Sequence, residues 1–205
     1  MKKIIIISIC LFLSTSVFSQ IQESTEAGNL NLNKPERLEW FKELGFGMFI
    51  HFSFDSQLGV VISHSMAGAS QDYLDRFVNE LPKTFNPKEF DAVEIATLAK
   101  LAGMKYIVFT TKHHSGFCMW DTETTDFNIM NTPYGKDLLA EYVEATRAAG
   151  LAVGFYFSPE DFNFLYENGM QVRRRFTEPI PDRIMTDYLE LVELQNMELM
   201  AKYGE

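Results

Sequence analysis

Three short apolar runs punctuate the chain, and each stops at polar or ionisable residues. Phe46–Phe52 carries His51 at its end, Lys105–Thr111 runs into Lys112-His113-His114, and Leu151–Phe157 runs into Ser158-Pro159-Glu160-Asp161. Runs of this length, rich in β-branched and aromatic residues, predict buried strands. Amphipathic stretches separate them. Arg37–Leu44 predicts a short helix closed by Gly45, and Pro87 opens a second, with Phe90, Val93, Ala96, Thr97 and Leu101 on one side. A third spans Gly135–Ala149 with Leu139, Tyr142, Val143, Thr146 and Ala149 as its stripe. A last one runs from about Pro181 to Lys202, with Met185, Leu189, Val192, Leu199 and Tyr203 along one side.

Apolar strands alternating with amphipathic helices imply a parallel sheet covered by helices, an α/β fold. In such sheets ligands bind at the carboxyl ends of the strands, where all three runs place their polar residues. No glycine-rich phosphate turn follows any strand, which favours a closed barrel over an open nucleotide-binding sheet. The expectation is therefore the N-terminal part of a (β/α)8 TIM-like barrel, with three βα units present and the rest missing, because a whole barrel takes roughly 250 residues. Either the sequence is a fragment or a partner completes the sheet in trans; homo-oligomerisation is left open. Between the first strand and Pro87 lies a long insertion, 53–86, with a short helix predicted over Gln71–Leu81 and order implied by Leu58-Gly59-Val60-Val61-Ile62.

Composition changes the picture at the N-terminus. Lys2 and Lys3 precede an apolar stretch, Ile4–Leu13, and Val17-Phe18-Ser19 suits a signal peptidase, so 1–19 reads as a secretory signal peptide. The stretch is well short of the roughly 20 residues that span a bilayer. The divisions expected are 1–19 signal peptide, 20–36 lead-in segment and 37–205 partial catalytic barrel domain, in an exported protein, periplasmic or secreted. Export leaves Cys118 as the single cysteine, without an internal disulfide. Net charge is −10, and −12 once the two leader lysines leave 16 basic against 28 acidic residues. Such a chain does not seek nucleic acid or anionic membranes.

The candidate chemistry sits in His51, His64, His113 and His114, none of them in a helix interior. Three histidines with a carboxylate such as Asp55 or Glu160 could bind zinc, but no H-x-H or H-x-x-x-H spacing supports it. The other reading is a set of neutral imidazoles, each able to donate at one nitrogen and accept at the other, which suits sugar hydroxyls. Tyr156, Trp120 and Phe117 could supply the apolar wall that a sugar needs, although each on its own reads first as core. The loop carboxylates Asp55, Asp121, Glu160 and Asp161 read mainly as solvated charges. His64 and the 53–86 insertion could shape the rim, with no motif to say so.

Taken together, Gly47-Met48-Phe49-Ile50-His51, Lys112-His113-His114-Ser115-Gly116-Phe117-Cys118-Met119-Trp120 and Gly154-Phe155-Tyr156-Phe157-Ser158 resemble the N-terminal part of the catalytic barrel of the α-L-fucosidases of glycoside hydrolase family 29. The resemblance covers roughly Arg37 to Tyr203. It implies that His51, His113, His114 and Tyr156 line the fucose pocket and that a fucosylated glycan is the partner; with Trp120 as an aromatic wall these residues are the expected substrate-binding set, and no metal or other cofactor is expected. It further implies retaining hydrolysis of terminal α-L-fucosyl linkages by an Asp nucleophile and a second carboxylic acid, roughly 5–5.5 Å apart. Both are expected beyond Glu205, so no catalytic residue is named and the chain alone is expected to be inactive. A non-catalytic fucose-binding remnant and a metal-dependent hydrolase are the alternatives. The chain departs from the family pattern where His-Trp-Gly becomes His51-Phe52-Ser53, where Lys-His-His-Asp ends in Ser115, and where Ser-x-x-Glu-Trp becomes Ser158-Pro159-Glu160-Asp161-Phe162.

Overall fold

A computed structural model describes residues 34–173 and 180–204. The expected signal peptide (1–19), nearly all of the expected lead-in segment, and Arg174 and Arg175 of the arginine run lie outside the described residues. The elements are α1 (Pro35–Leu44), β1 (Gly47–Ile50), α2 (Gln71–Asn79), α3 (Ala92–Leu101), β2 (Tyr106–Lys112), α4 (Leu138–Ala148), β3 (Ala152–Phe157), α5 (Phe162–Glu167) and α6 (Asp182–Tyr203), with short 3₁₀ turns at Phe54–Leu58, Leu81–Thr84 and Ile129–Asn131. Among the described residues no helix is long and apolar enough to cross a membrane.

The three strands form one parallel sheet in the order β1-β2-β3. Each neighbour follows the previous strand through a helix-bearing connection, as parallel pairing requires. Gly47 pairs with Tyr106, and Tyr106 with Ala152, so the three carboxyl ends finish side by side. One irregularity matters for the site. Thr110 pairs with Tyr156 but Lys112 pairs with Phe157, so Thr111 is an extra residue and β2 bulges there. A bulge re-aims the side chains after it. Strict alternation would put Lys112 on the Thr110 side; the bulge puts it opposite Phe157, on the side that faces α6.

One sheet face is sealed. Ile107 and Phe109 are fully buried, and Phe109 stacks on Tyr142 of α4 at 5.1 Å. The other face carries Phe49, Val108, Thr110 and Tyr156, and Phe49 remains 49% exposed. The insertion after β1 is ordered by aromatic packing: Phe54 stacks on Phe117 at 4.4 Å and meets the edge of Phe77 at 5.0 Å. Each such buried phenylalanine contributes about 1.5–3 kcal/mol of apolar burial. The loops after β1 and β2 thus share one core, which holds the cleft between them.

Two helix stripes differ from expectation. α3 starts at Ala92, capped by the Asp91 carboxylate, and not at Pro87. It buries Ala96 and Ala99, while Val93 and Leu101 are 66% and 79% exposed. Small residues let α3 approach the sheet closely, and the larger side chains turn outward. α6 buries Tyr188, Gln195, Leu199 and Tyr203, and leaves Leu189 exposed. A polar residue, Gln195, sits at the centre of its contact with the sheet because β2 presents it with a buried charge. α5 has no counterpart in the hydrophobic pattern; Asp161 caps it through Phe164 N–H at 2.9 Å.

Candidate functional site

The carboxyl edge of the sheet gathers four rings. His51 follows β1, Tyr156 lies in β3, and His113 and His114 follow β2. Ring centres are 5.1 Å apart for His51 and His113, 5.1 Å for His51 and Tyr156, and 5.0 Å for His113 and Tyr156. His114 packs edge-on against His113 at 4.5 Å. His64, from the insertion, stands 6.3 Å from His114. A cleft of about 330 Å³ runs between this group and the insertion, lined by His51, His113, Ser56, Val60, Val61, Ile62 and Ser63.

Hydrogen bonding assigns each imidazole its tautomer. The Thr110 hydroxyl donates its one proton to Ile50 O at 3.0 Å, so His51 Nδ1, 3.1 Å from that hydroxyl, must be the donor between them. His51 Nε2 is then an acceptor. His113 Nδ1 accepts the backbone N–H of His114 at 2.8 Å, which leaves its proton on Nε2. His114 Nδ1 donates to Ser63 O at 2.8 Å, so its Nε2 accepts when the ring is neutral. The three Nε2 positions therefore read acceptor, donor, acceptor, and none has a partner among the described residues.

The surroundings of His51, His113 and Tyr156 favour their uncharged forms. Burial, with the neighbouring His114, His51 and His64, lowers the His113 pKa to about 4. Burial also lowers that of His51. Tyr156 is raised, first by burial and then by the charge of Glu160, so it stays a phenol and can both donate and accept. Glu160 Oε2 lies 3.4 Å from His114 Nδ1.

Trp120 and Phe117 do not join the rings. Trp120 is fully buried and donates its indole N–H to Glu198 of α6 at 2.8 Å; Phe117 is fully buried against Phe54. Both are core, because the chain after Gly116 dives under the insertion. The loop carboxylates also differ from expectation, with only Asp121 exposed. Asp55 is fully buried and accepts from Ser65 at 2.6 Å, and burial raises its pKa to about 6. Asp161, 3% exposed, pairs with Lys112 at 3.0 Å. Among the described residues no group of three or more His, Cys, Asp and Glu side chains is arranged to hold a metal ion.

A family model described as alpha-L-fucosidase matches residues 12–205. The chain belongs to the alpha-L-fucosidase family. Alpha-L-fucosidase 1 of Arabidopsis thaliana is 29% identical over 86% of this chain and 30% of its own length, and the human tissue alpha-L-fucosidase is 28% identical over 81% of this chain and 39% of its own. Among solved structures, alpha-L-fucosidase isoenzyme 1 of Paenibacillus thiaminolyticus superposes with a TM-score of 0.67 at 35% identity, covering 82% of this chain and 41% of that one. An alpha-L-fucosidase of Bacteroides thetaiotaomicron, trapped as a covalent intermediate with 2-fluoro-fucosyl fluoride, gives 0.65 at 29% identity, covering 83% and 40%. The chain thus spans two fifths or less of the length of these curated relatives.

Proposed function

We propose that His51, His113, His114 and Tyr156 bind the ring of a terminal L-fucosyl residue, and that the whole protein hydrolyses α-L-fucosyl linkages with retention at the anomeric carbon. The observation that carries the reading is the alternation of acceptor, donor and acceptor across the three imidazoles. A sugar hydroxyl donates once and accepts twice, so neighbouring hydroxyls on one sugar face can each find complementary partners in such a row. The rings of Phe49 and Tyr156, in edge-to-face contact with centres 5.6 Å apart, add the apolar surface that a deoxysugar needs. Family membership and the superposed fucosidase bound to a fluoro-fucosyl reagent support the sugar.

Retaining hydrolysis takes two carboxyl groups about 5–5.5 Å apart. The carboxylates described at this edge are otherwise engaged: Asp55 with Ser65, Asp161 with Lys112, and Glu160 beside His114. The reading therefore assigns the carboxyl pair to the part of the relatives' length that this chain does not span, in a (β/α)8 barrel of which these strands are the first three. It gives the described residues the task of binding.

Calorimetric titration of the 205-residue chain with L-fucose and with D-mannose tests this. Selective L-fucose binding, lost in His113→Ala, is expected, with no turnover of an aryl α-L-fucoside by these residues alone. Equal binding of both sugars, or binding indifferent to His113, refutes the assignment.

A further inference from the structure

Lys112 is fully buried at the carboxyl end of β2, one residue before the histidine pair. All its donor directions are occupied. Nζ donates to Asp161 Oδ2 at 3.0 Å and to Gln195 Oε1 at 2.7 Å, and it lies 4.6 Å above the Phe157 ring. Gln195, fully buried on α6, is held in one orientation because its Nε2 donates to Thr124 Oγ1 at 3.1 Å. Asp161 has no freedom either: Oδ1 accepts from Phe164 N–H at 2.9 Å, and its own N–H donates to Tyr188 OH at 3.1 Å, which donates in turn to Pro159 O at 2.6 Å.

The histidine turn is seated on this carboxylate. His113 O accepts from Gly116 N–H at 3.0 Å, closing the turn, and His114 O accepts from Phe162 N–H at 2.7 Å. Gly116 has φ +86°, and a Cβ there would stand 2.1 Å from Asp161 Oδ1. No other residue lets the turn rest so closely on the carboxylate. The bulge at Thr111 exists on the same strand end and delivers Lys112 to this side of the sheet.

We propose that Lys112, Asp161 and Gln195 form a positioning unit that sets the orientation of His113 and His114 for the sugar, apart from any part they have in holding the fold. A buried ion pair rarely improves stability over apolar residues of the same volume, so stability alone does not account for one here. Its geometry does: it joins the β2 turn, the loop bearing Glu160, and α6 at one point. The functional consequence rests on the fucose-site reading, while the effect on ring geometry does not.

The test uses the full chain with Lys112→Met/Asp161→Leu, which replaces both charges with apolar groups, and Gln195→Met, which keeps the ion pair and removes the Gln195 bonds to Lys112 and Thr124. Melting is followed by circular dichroism, imidazole tautomers by long-range ¹H–¹⁵N spectra, and affinity by L-fucose titration. The double variant is expected to fold but to melt below the parent, because it also loses the α5 cap and the donor to Gln195 Oε1, to lose the distinct Nε2–H and Nδ1–H tautomers of His113 and His114, and to bind L-fucose about tenfold more weakly, or about 1.4 kcal/mol. Gln195→Met is expected to shift the same resonances and weaken binding about threefold, and it decides the matter if the double variant does not fold. Parental tautomer spectra in a folded variant overturn the proposal. If the parent binds no L-fucose, the sugar assignment fails on its own, and the tautomer spectra still decide the positioning role.

Discussion

Asp55→Asn separates a buried acid from a solvated one. In the parent, Asp55 is fully buried; Oδ2 accepts from Ser65, while Oδ1 is buried without a partner, beside a Ser53 hydroxyl that also lacks one. Burial raises its pKa from 3.8 to about 6. The folded chain therefore binds a proton that the unfolded chain has released between these values. The resulting stability is fully present below 3.8 and is lost as pH rises through about 6. The shift corresponds to about 3 kcal/mol. Asparagine keeps an oxygen for Ser65, places an amide where the unpartnered oxygen stood, and cannot ionise. The variant should match the parent near pH 4 and gain on it by up to about 3 kcal/mol by pH 7. His113 titrates in the same window with the opposite sign, its contribution complete above 6.5 and lost as pH falls through about 4; being common to both chains, it cancels in the difference. Urea unfolding of both chains at several pH values from 4 to 7 provides the comparison. Parallel stability curves would refute the reasoning, and so would a variant that loses ground as pH rises. L-fucose affinity at pH 7 should not fall, because Asp55 braces the segment carrying Ser63 and makes no contact in the ring cluster.

Thr110→Val removes the hydroxyl that takes the His51 proton and returns its own to Ile50 O; the expected cost is about 1 kcal/mol of stability and about tenfold in L-fucose affinity, read by melting and titration. Unchanged affinity would mean that the His51 tautomer is set elsewhere. Trp120→Phe leaves a cavity and removes the bond to Glu198, so it should cost about 2–4 kcal/mol with no change in affinity for the folded fraction. A fall in affinity at full folding would return Trp120 to the site.

The strands were legible because each is a short apolar run ending in residues that a core rejects, and three of the four rings sit at those ends. Tyr156 and the histidine pair needed the resemblance to be joined into one site. What escaped were features that depend on neighbours distant in the chain. The Thr111 bulge adds one residue to a strand whose composition is unchanged, yet it decides which side Lys112 faces. Asp55 and Asp161 look like loop charges until Ser65 and Lys112 are brought to them from 10 and 49 residues away. On α3, scoring by hydrophobicity selected Val93 and Leu101, whereas packing selected Ala96 and Ala99 for their size. Trp120 and Phe117 have the flat aromatic faces of a sugar wall, but the turn at Gly116 sends both inward, where they are fully buried.

The tautomers of the three imidazoles come from three different segments: a β2 hydroxyl for His51, the turn's own N–H for His113, and an insertion carbonyl for His114. A ligand therefore finds the donor and acceptors already set, and does not have to reorder them on binding. The same contacts explain why lowered pKa values belong to recognition here. A protonated His113 could no longer accept the His114 N–H, so the low pKa protects the turn as well as the donor at Nε2. A protonated His51 would offer a donor where the row requires an acceptor. Because burial lowers its pKa below 6.5, that acceptor persists into mildly acidic solution. Protonation of His51 should thus weaken sugar binding, and its lowered pKa moves that loss to below pH 6.5.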